Sequence, residues 1–583
     1  MTRRRFSGMV ALCLSLATLA QTDPKGDPFN HVTPTWNEAI GLFQALSEEH
    51  PAVHMTTIGT TDVGRPLHAV IVGLPGESPM GIEGLQSAKQ KHPERLRVLV
   101  NNAIHPGEPC GVDASLAHVR SLLANPERME NAIWVYIPMF NIGGGLQRNC
   151  CSRANQNGPD EYGFRGNARN LDLNRDFVKA DSRNAMAMVE LLAAFDPDLF
   201  VDTHTTNGAD YPQTMTLIST QPDKAGEVIG PFLRETVEPF LYAEMAAKEN
   251  PMVPYVYSYK QIPDSGIIGF LETPRYSTGY AVLHGTLGFV SEAHMLKPYP
   301  DRVAATLDFF ECIETLIDVH GADIQTVRAA ERQRWRTAES LPVRWSRDPK
   351  RFTPLTFEGY RAVYEPSEIT GAERLRYDRS EVWQADIPFY NHYNATHFAQ
   401  IPEAWILPQA WREVHERLAA AGVTFETLDR DTILHVEVTR IVDFQAPRLP
   451  YEGHFPLSID AVTSATEPVR LFAGDWVIRR ENNPVRLLAE LLDPMAHDAF
   501  LVWNFFDSTL QQKEYYSAYV FEDEAKSLLD NDPDLRQRFD IAVARDSTLA
   551  ASPSNQIRWL YEQSNHFEGV GGVVNMYPVF KIY

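Results

Sequence analysis

The chain lacks an excess of positive charge. It has 53 Lys and Arg residues against 76 Asp and Glu residues, which gives a formal net charge of −23. A protein of that sign repels the phosphate backbone of DNA and RNA, so no nucleic-acid partner is expected. Internal repeats and low-complexity segments are also absent, and 44% of the residues are hydrophobic. That composition excludes a disordered chain and provides apolar material for packed cores.

Cysteine is scarce as well. Five cysteines occur in 583 residues, and Cys13 is one of them. The other four, Cys110, Cys150, Cys151 and Cys312, lack the spacing of a cysteine metal site. They are available for disulfides in an oxidising compartment, but the sequence does not fix their pairing.

Long apolar runs are limited to the N-terminus. Basic residues 3–5 precede an apolar stretch at 6–19, and small residues at 18–20 follow it. This arrangement predicts a signal peptide at 1–20 that is cleaved after Ala20, because the stretch is too short to span about 30 Å of hydrocarbon. Residues 2–6 also resemble the twin-arginine export motif. We therefore expect an exported protein, periplasmic or secreted, whose mature chain has no membrane span.

The chain is long enough for two or more domains. Residues 27–325 alternate short apolar runs with helical periodicity, which predicts an α/β domain with a mixed sheet flanked by helices. Strands are expected at 96–104, 133–140, 198–201 and 286–290, and helices at 112–123, 185–194 and 302–320.

The rest of the chain differs in composition and in its predicted secondary structure. A polar, Arg-rich stretch at 326–347 predicts a linker. Residues 348–583 form many short extended runs and end in a helical segment that begins with a helix at 511–529. This pattern indicates a β-rich, α+β accessory region.

Polar and ionisable residues follow several predicted strands. His105 and Glu108 come after the first strand, His204 after the third and Glu292 after the fourth, and Asn141 opens a loop after the second. Ligands of open α/β sheets bind outside the carboxyl ends of the strands, so we expect these side chains to share one crevice.

Two histidines and a carboxylate provide three ligands and leave a fourth position for water, which is the arrangement of a catalytic zinc site. His105, Glu108 and His204 are therefore predicted to hold one Zn²⁺ per chain. Glu292 belongs to none of the proposed ligands and is the predicted general base.

The sequence resembles the carboxypeptidase A-like family of zinc peptidases over residues 35–320. The matching pieces are His105-Pro106-Gly107-Glu108, Asp172-Leu173-Asn174-Arg175, Asp202-Thr203-His204 and Glu292. The resemblance implies that Asp172 orients His105 and that Asn174 and Arg175 bind the C-terminal carboxylate of the substrate. It also implies a carboxypeptidase-like fold for this part of the chain.

Two assignments within this resemblance stay open. Arg165 has the spacing expected of the arginine that polarises the oxyanion, and Arg169 is its rival. Tyr276 and Tyr280 both precede Glu292 at distances that suit the aromatic substrate-binding residue.

The leading hypothesis is a zinc-dependent metallocarboxypeptidase whose substrate is a peptide, or a peptide-like molecule, with a free carboxylate. A deacylase or amidase acting on N-acyl amino acids or peptidoglycan stem peptides has the same ligand arrangement and is the alternative enzyme. A binding protein with an inactive site is the non-enzymatic alternative.

Overall fold

The computed structural model describes residues 32–568 and 574–583, so the predicted signal peptide lies outside the described residues. The chain divides into two units. The first contains the described residues up to Trp335 together with Trp345–Thr396, and the second contains Arg336–Arg344 and His397–Tyr583.

Strands and helices are numbered here along the described part of the chain. The strands are β1 (Val53–Thr60), β2 (Pro66–Val72), β3 (Leu96–Asn101), β4 (Ala132–Ile137), β5 (Leu199–Thr206), β6 (Met215–Ser219), β7 (Met252–Pro254), β8 (Ile267–Ile268), β9 (Leu287–His294), β10 (Ser340–Arg347), β11 (Thr353–Pro366), β12 (Glu373–Tyr390), β13 (Tyr393–Gln400), β14 (Ala404–Leu407), β15 (Glu426–Thr427), β16 (Thr432–Gln445), β17 (Ser458–Leu471), β18 (Trp476–Arg479) and β19 (Met576–Ile582). The α-helices are α1 (Trp36–Glu49), α2 (Gly81–Lys91), α3 (Cys110–Ala124), α4 (Ile142–Gly145), α5 (Arg183–Phe195), α6 (Pro222–Ala225), α7 (Ile229–Phe232), α8 (Glu238–Ala247), α9 (Ser277–Ala281), α10 (Tyr299–Thr337), α11 (Arg412–Ala420), α12 (Val485–Leu492), α13 (Ala518–Asn531), α14 (Pro533–Arg545), α15 (Ser547–Ala550) and α16 (Pro553–Glu562).

The first unit is built on an eight-stranded sheet in the order β1-β2-β4-β3-β5-β9-β6-β7. Strands β4, β3, β5 and β9 are parallel neighbours. Strand β2 pairs antiparallel with β1 and β4, and β6 pairs antiparallel with β9 but parallel with β7. The predicted mixed sheet flanked by helices is thus confirmed. The parallel strands are largely buried on both faces, as central parallel strands are, and every residue of β4 is buried.

The helices that flank the sheet have one apolar side. In α5 the buried residues Ala185, Met188, Leu192 and Phe195 recur at three- and four-residue intervals, which is the spacing of a single helix face. Burying that face against the sheet stabilises the helix more than its intrinsic propensity does.

The segment expected to be a linker is largely helical. Helix α10 extends to Thr337 and β10 follows, so residues 326–347 are mostly ordered secondary structure. The Arg-rich composition suggested solvated chain, yet Arg328 is buried and its guanidinium lies 3.0 Å from Asp196. The partner is far away in sequence, so the local composition could not reveal the pair.

The accessory region also begins later than residue 348. Strands β11 and β12 form a long antiparallel hairpin that belongs to the first unit, where Phe389 and Tyr390 pair in parallel with β8. Phe357 and Ile387 of this hairpin pack with buried residues of the first unit: Tyr211, Val253, Val256 and Ile267. Apolar contact therefore holds the hairpin on the first unit.

The second unit confirms the expected β-rich character. Its six-stranded antiparallel sheet has the order β15-β18-β14-β19-β16-β17, and helices α13 to α16 surround a small aromatic cluster that includes Phe521 and Tyr561. The helix expected at 511–529 begins only at Ala518. Before it, the backbone N–H of Lys513 donates to the Glu568 carboxylate at 2.9 Å, which is a side-chain contact and not a hydrogen bond of a helix.

The described residues include four of the five cysteines. Cys150 and Cys151 form a disulfide, while Cys110 and Cys312 are buried thiols. Among residues 32–568 and 574–583, none of the helices combines the length and the apolar character needed to cross a bilayer.

The first prediction concerns the Asp196 carboxylate, which faces Arg328, Arg332 and Lys89. Asp196 ends α5 with a φ of 51°, a conformation that asparagine also tolerates, so Asp196→Asn removes the charge without new backbone strain. Because it leaves buried cations without their anion, we expect the free energy of unfolding to fall by about 3–5 kcal/mol at pH 7. Urea unfolding measures this.

The pH dependence of the free energy of unfolding provides a second test of the same carboxylate. Burial alone would raise the pKa of Asp196, but the two arginines hold it well below its usual range. Because the pKa of Asp196 is lower in the folded protein than in the unfolded chain, where it is about 3.9, the ionised carboxylate stabilises the fold at pH values above about 3.9. The difference in the free energy of unfolding between wild type and Asp196→Asn should therefore shrink as the pH falls below that value. As a control, Glu381→Gln removes the exposed partner of Arg361 and should change little. Equal effects of the two substitutions would contradict the structural role of Asp196.

Candidate active site

Three neighbouring parallel strands position the predicted site residues. His105 and Glu108 lie in the loop between β3 and α3, whereas His204 lies within β5 and Glu292 within β9. The last two residues were expected after their strands, but both strands continue past them. His204 and Glu292 are directly opposite in the β5–β9 register, so the two side chains share one face of the sheet.

A glycine allows the loop and the sheet to approach so closely. Gly111 lies in the first turn of α3, and a Cβ at this position would lie 2.0 Å from the Thr203 hydroxyl and 2.5 Å from the side chain of Asn102. A larger residue would push the start of α3 away from β5. Gly111 therefore keeps the loop with His105 and Glu108 beside His204.

The structure brings the three predicted metal ligands together. One ligand atom from each of His105, Glu108 and His204 lies within 4.8 Å of the other two, and all three residues are buried. Nδ1 of His105 is 3.3 Å from Oε1 of Glu108, and Nδ1 of His204 is 3.2 Å from Oε2. Both imidazoles thus present Nδ1 to the same point.

The other nitrogen of each imidazole faces a carboxylate. Nε2 of His105 is 2.9 Å from Asp172, and Nε2 of His204 is 3.0 Å from Asp202. Asp202 is itself fixed, because it accepts hydrogen bonds from Asn101 and Ser277. Histidines that ligate zinc generally carry such a carboxylate partner, which fixes the ring and the tautomer. The donor set and its surroundings therefore fit a catalytic Zn²⁺ with three protein ligands.

Glu108 is held from two sides. The backbone N–H of Thr205 donates to Oε2 at 2.7 Å, and the Arg153 guanidinium donates to Oε1 at 2.8 Å. Burial alone would raise the pKa of Glu108, but Arg153 and His105 hold it well below its usual range. The carboxylate is therefore ionised and fixed, as a metal ligand must be. Arg153 was not among the residues singled out from the sequence, because it lies in an irregular loop without a recognisable motif.

Glu292 lies beside the ligand cluster without forming part of it. Its carboxyl lines the same cavity, and burial raises its pKa to about 7 despite the charge of His204. A group that titrates near neutral pH is well matched to both accepting and returning a proton.

The segment after Asp172 also reaches this cavity. Asn174 and Arg175 lie in a single 3-10 turn and both line the cavity. The Asn174 side-chain oxygen accepts from the backbone N–H of Ser277 at 3.0 Å. The Arg175 guanidinium stacks on the ring of Tyr276, 4.3 Å from its centroid. These contacts hold the amide and the guanidinium in defined positions.

The two open assignments differ clearly in location. Tyr276 lines the cavity, whereas Tyr280 is 2% exposed and packs against Phe177 in the interior. Tyr280 is therefore not placed to contact a substrate. Its position at helical spacing after Tyr276 made the two indistinguishable in the sequence.

Arg165 and Arg169 separate in the same way. Arg165 lines the cavity, and its guanidinium lies 2.8 Å from Asp172 and 3.5 Å from Glu108. The guanidinium of Arg169 donates instead to the backbone oxygen of Asp181 at 2.6 Å. Of the two, Arg165 is the one that faces the metal ligands.

The cavity has a volume of about 310 Å³. Besides the residues already described, its wall includes side chains that sequence reasoning missed, among them Tyr255 and Glu272. Tyr255 lies on irregular chain between β7 and β8, and Glu272 on irregular chain between β8 and α9, where neither periodicity nor a motif marks them.

A comparison with known protein families bears on this geometry. Residues 40–207 match the family model described as zinc carboxypeptidase. The matched stretch contains all three metal-ligand candidates and the turn with Asn174 and Arg175. This part of the chain is therefore similar to the zinc carboxypeptidase family. Glu292 lies beyond the matched stretch, but its alignment opposite His204 in the sheet places it in the same site.

Individual proteins that resemble this chain are distant from it in sequence. Carboxypeptidase 2 of Trichophyton tonsurans is 21% identical over 449 residues, which cover 71% of this chain and 74% of the relative. Carboxypeptidase 2 of Trichophyton equinum is also 21% identical, over 453 residues and the same shares of the two chains. Among solved structures, carboxypeptidase A of Helicoverpa armigera has a TM-score of 0.37 at 14% identity, covering 54% of this chain and 78% of its own.

Proposed function

We propose that this protein is a zinc-dependent carboxypeptidase that hydrolyses the C-terminal amide bond of peptides. The observation that carries the proposal is the composition of one cavity. It is lined by the three candidate ligands, by Glu292 and by Asn174 and Arg175. A hydrolytic centre and a site for a carboxylate are thus within reach of one bound substrate.

His105, Glu108 and His204 are the residues that would hold the metal. Zinc bound by such a set lowers the pKa of water to about 7 and polarises the carbonyl of the scissile bond. Asp172 and Asp202 act through the histidines: each faces Nε2 and so keeps Nδ1 available. The burial of the ligands keeps bulk water from competing for their lone pairs.

Glu292 is the proposed general base. Its carboxylate accepts a proton from the attacking water, and the same carboxyl then donates that proton to the leaving amine. A pKa near 7 allows both steps at neutral pH, since neither protonation state is strongly preferred.

Arg165 is the proposed stabiliser of the negative charge that develops on the carbonyl oxygen. Its side chain lies at the rim of the cavity and is 45% exposed, so it is accessible to a substrate. Arg153 is less suited to that role because it is already engaged by Glu108 and by the carbonyl oxygen of Thr205. A fixed guanidinium at this point stabilises the transition state more than the substrate.

Asn174 and Arg175 are proposed to bind the free carboxylate of the substrate. A guanidinium offers two parallel N–H donors that match a carboxylate, and Tyr276 holds its plane by stacking. This subsite would restrict cleavage to the last peptide bond, which separates a carboxypeptidase from an endopeptidase.

The first test separates metal ligands from the base. We expect His105→Ala to lower bound zinc from about one per chain toward zero, because the site needs three protein ligands. Glu292→Gln should keep the zinc and lose on the order of 10²–10⁴ in kcat, the range for a missing general base. Metal content by atomic emission and kcat on one peptide give both numbers. The control His320→Ala changes a histidine on α10 outside the cavity and should retain both. Loss of zinc from the Glu292 variant would make that residue a ligand.

The second test concerns the free carboxylate. Amidation of the substrate C-terminus removes the anion that faces Arg175, so kcat/KM should fall by roughly 10–150-fold or more, given about 1.5–3 kcal/mol for a hydrogen bond to a charged group. Arg175→Ala should abolish the difference between free and amidated peptides, and Arg175→Lys should not restore it, because an ammonium lacks the planar fork.

A matched arginine provides the control for this second test. Arg169→Ala removes a guanidinium from the same loop that does not line the cavity, so it should leave the discrimination intact. Equal cleavage of free and amidated peptides by the wild type would contradict a carboxypeptidase while leaving a zinc hydrolase intact.

We also propose that the enzyme acts outside the cytoplasm, in the periplasm or after secretion. The support is the basic and apolar character of residues 1–20. Sequencing the N-terminus of the mature protein should find a start near Gln21. A soluble cytoplasmic enzyme that retains Met1 would contradict export.

A further inference from the structure

The cavity extends past the metal ligands toward a second acidic group. Beyond Glu292, its wall is formed by Ile218, Val290 and Thr278, and Glu272 lines it as well. Ile218 lies in β6 and Val290 in β9, while Thr278 lies in α9 and Glu272 on the chain that leads into that helix. These residues line the same cavity as Arg175, where the proposed function places the carboxylate of the substrate.

Glu272 is buried, and its two carboxylate oxygens are not equivalent. The residue is 1% exposed. Oε1 accepts a hydrogen bond from the backbone N–H of Gln221 at 2.9 Å. Within the described residues, Oε2 has no hydrogen-bond partner. A buried acceptor without a donor is costly, so such an atom at the wall of a binding cavity points to a donor that arrives with the ligand.

The ion pair between Lys224 and Glu272 is made at Oε1. Nζ of Lys224 lies 3.8 Å from Oε1, the oxygen already bonded to Gln221, and it donates to the carbonyl oxygen of Gly279 at 3.2 Å. Burial raises the pKa of Glu272 from its ordinary value, and the charge of Lys224 opposes that effect. Lys224 therefore compensates Glu272 only in part, and the oxygen nearest to its Nζ is Oε1.

The backbone around Glu272 is tightly packed. At Gly279 an added Cβ would lie 2.0 Å from the carbonyl oxygen of Thr273, so the chain from 272 to 279 closes on itself at van der Waals contact. The hydroxyl of Tyr393 donates to the carbonyl oxygen of Gly269 at 2.6 Å and holds the start of the same loop. These contacts leave the Glu272 side chain little freedom to turn away and find a donor elsewhere.

We propose that Glu272 is a specificity-determining residue that selects substrates whose C-terminal side chain ends in an N–H group, such as lysine, arginine or glutamine. The proposal rests on the proposed carboxypeptidase function. A substrate N–H group satisfies Oε2, whereas an apolar side chain of the same length buries the oxygen without a partner. A site built to hydrogen-bond its substrate rejects analogues that lack the donor, because its own polar group is then left unpaired.

The experiment compares matched substrates on the zinc-loaded wild-type enzyme. Two pairs of acylated dipeptides differ only at the end of the C-terminal side chain: lysine against norleucine, and glutamine against methionine. We expect kcat/KM to be about 10-fold or more higher for the member with the donor in each pair, the effect of one hydrogen bond to a charged group. The lysine pair shows the effect of a cationic donor and the glutamine pair that of a neutral one.

A variant assigns the preference to Glu272. Glu272→Gln keeps the shape and the acceptor for Gln221 but removes the charge, so the lysine preference should drop to within about threefold of norleucine. Glu238→Gln is the matched control, since Glu238 is a carboxyl that burial also perturbs and it borders a neighbouring cavity. It should leave both preferences unchanged. Zinc content and thermal unfolding of each variant show whether it is folded.

The outcomes separate this inference from the function on which it rests. Cleavage of the norleucine and methionine peptides as fast as their partners, by a wild type that still requires zinc and a free carboxylate, overturns the role of Glu272 and leaves the carboxypeptidase standing. A folded Glu272→Gln enzyme with an undiminished lysine preference overturns it as well. No C-terminal cleavage of any of the four peptides contradicts the carboxypeptidase itself and takes the inference with it.

Discussion

The parallel register of β3, β5 and β9 is the constraint on which the active site depends. Asn101 at the end of β3 is opposite Asp202 in β5, and His204 is opposite Glu292 in β9. A slip of one residue in either pairing would turn the side chains to the other face of the sheet. The register is protected because each strand is buried on both sides, so any slip would also disrupt apolar packing. The packing of the core therefore fixes the relative positions of the side chains in the candidate active site.

Buried charge is the second constraint, and the site balances it group by group. Glu108 is compensated by Arg153 and by the two histidines, and Asp172 by Arg165 and His105. At Glu292 the effect of burial outweighs the charges of His204 and His105, and its pKa is raised to about 7. Three carboxyl groups in one small space therefore differ in protonation because their partners differ. This difference lets two of them hold their positions while the third moves a proton.

Much of this architecture could be predicted from the sequence, since it is encoded locally. Apolar runs mark the strands, and polar residues at their ends mark the crevice, so His105, Glu108, His204 and Glu292 were identified and the structure brings them together. What could not be predicted depends on pairs far apart in the chain. Arg328 looked like part of a solvated linker because its partners, Asp196 and Asp198, lie 132 and 130 residues away. The hairpin of β11 and β12 joins the first unit through contacts of the same non-local kind.

The two ends of β5 show how structural and functional charge can be told apart in this fold. Asp196 and Asp198 precede the strand. Their carboxylates form ion pairs with Arg97 and with Arg328 and Arg332 of α10, and these pairs hold α10 in place. At the other end, one ligand atom from each of His105, Glu108 and His204 lies close to the other two, and Oε2 of Glu272 lines the same cavity without a hydrogen-bond partner in the described part of the chain. Burial is similar at both ends, so burial does not distinguish the roles. The distinguishing feature is whether the protein supplies the partner: where it does, the charge stabilises the fold, and where it does not, the proposed partner is a metal or a substrate.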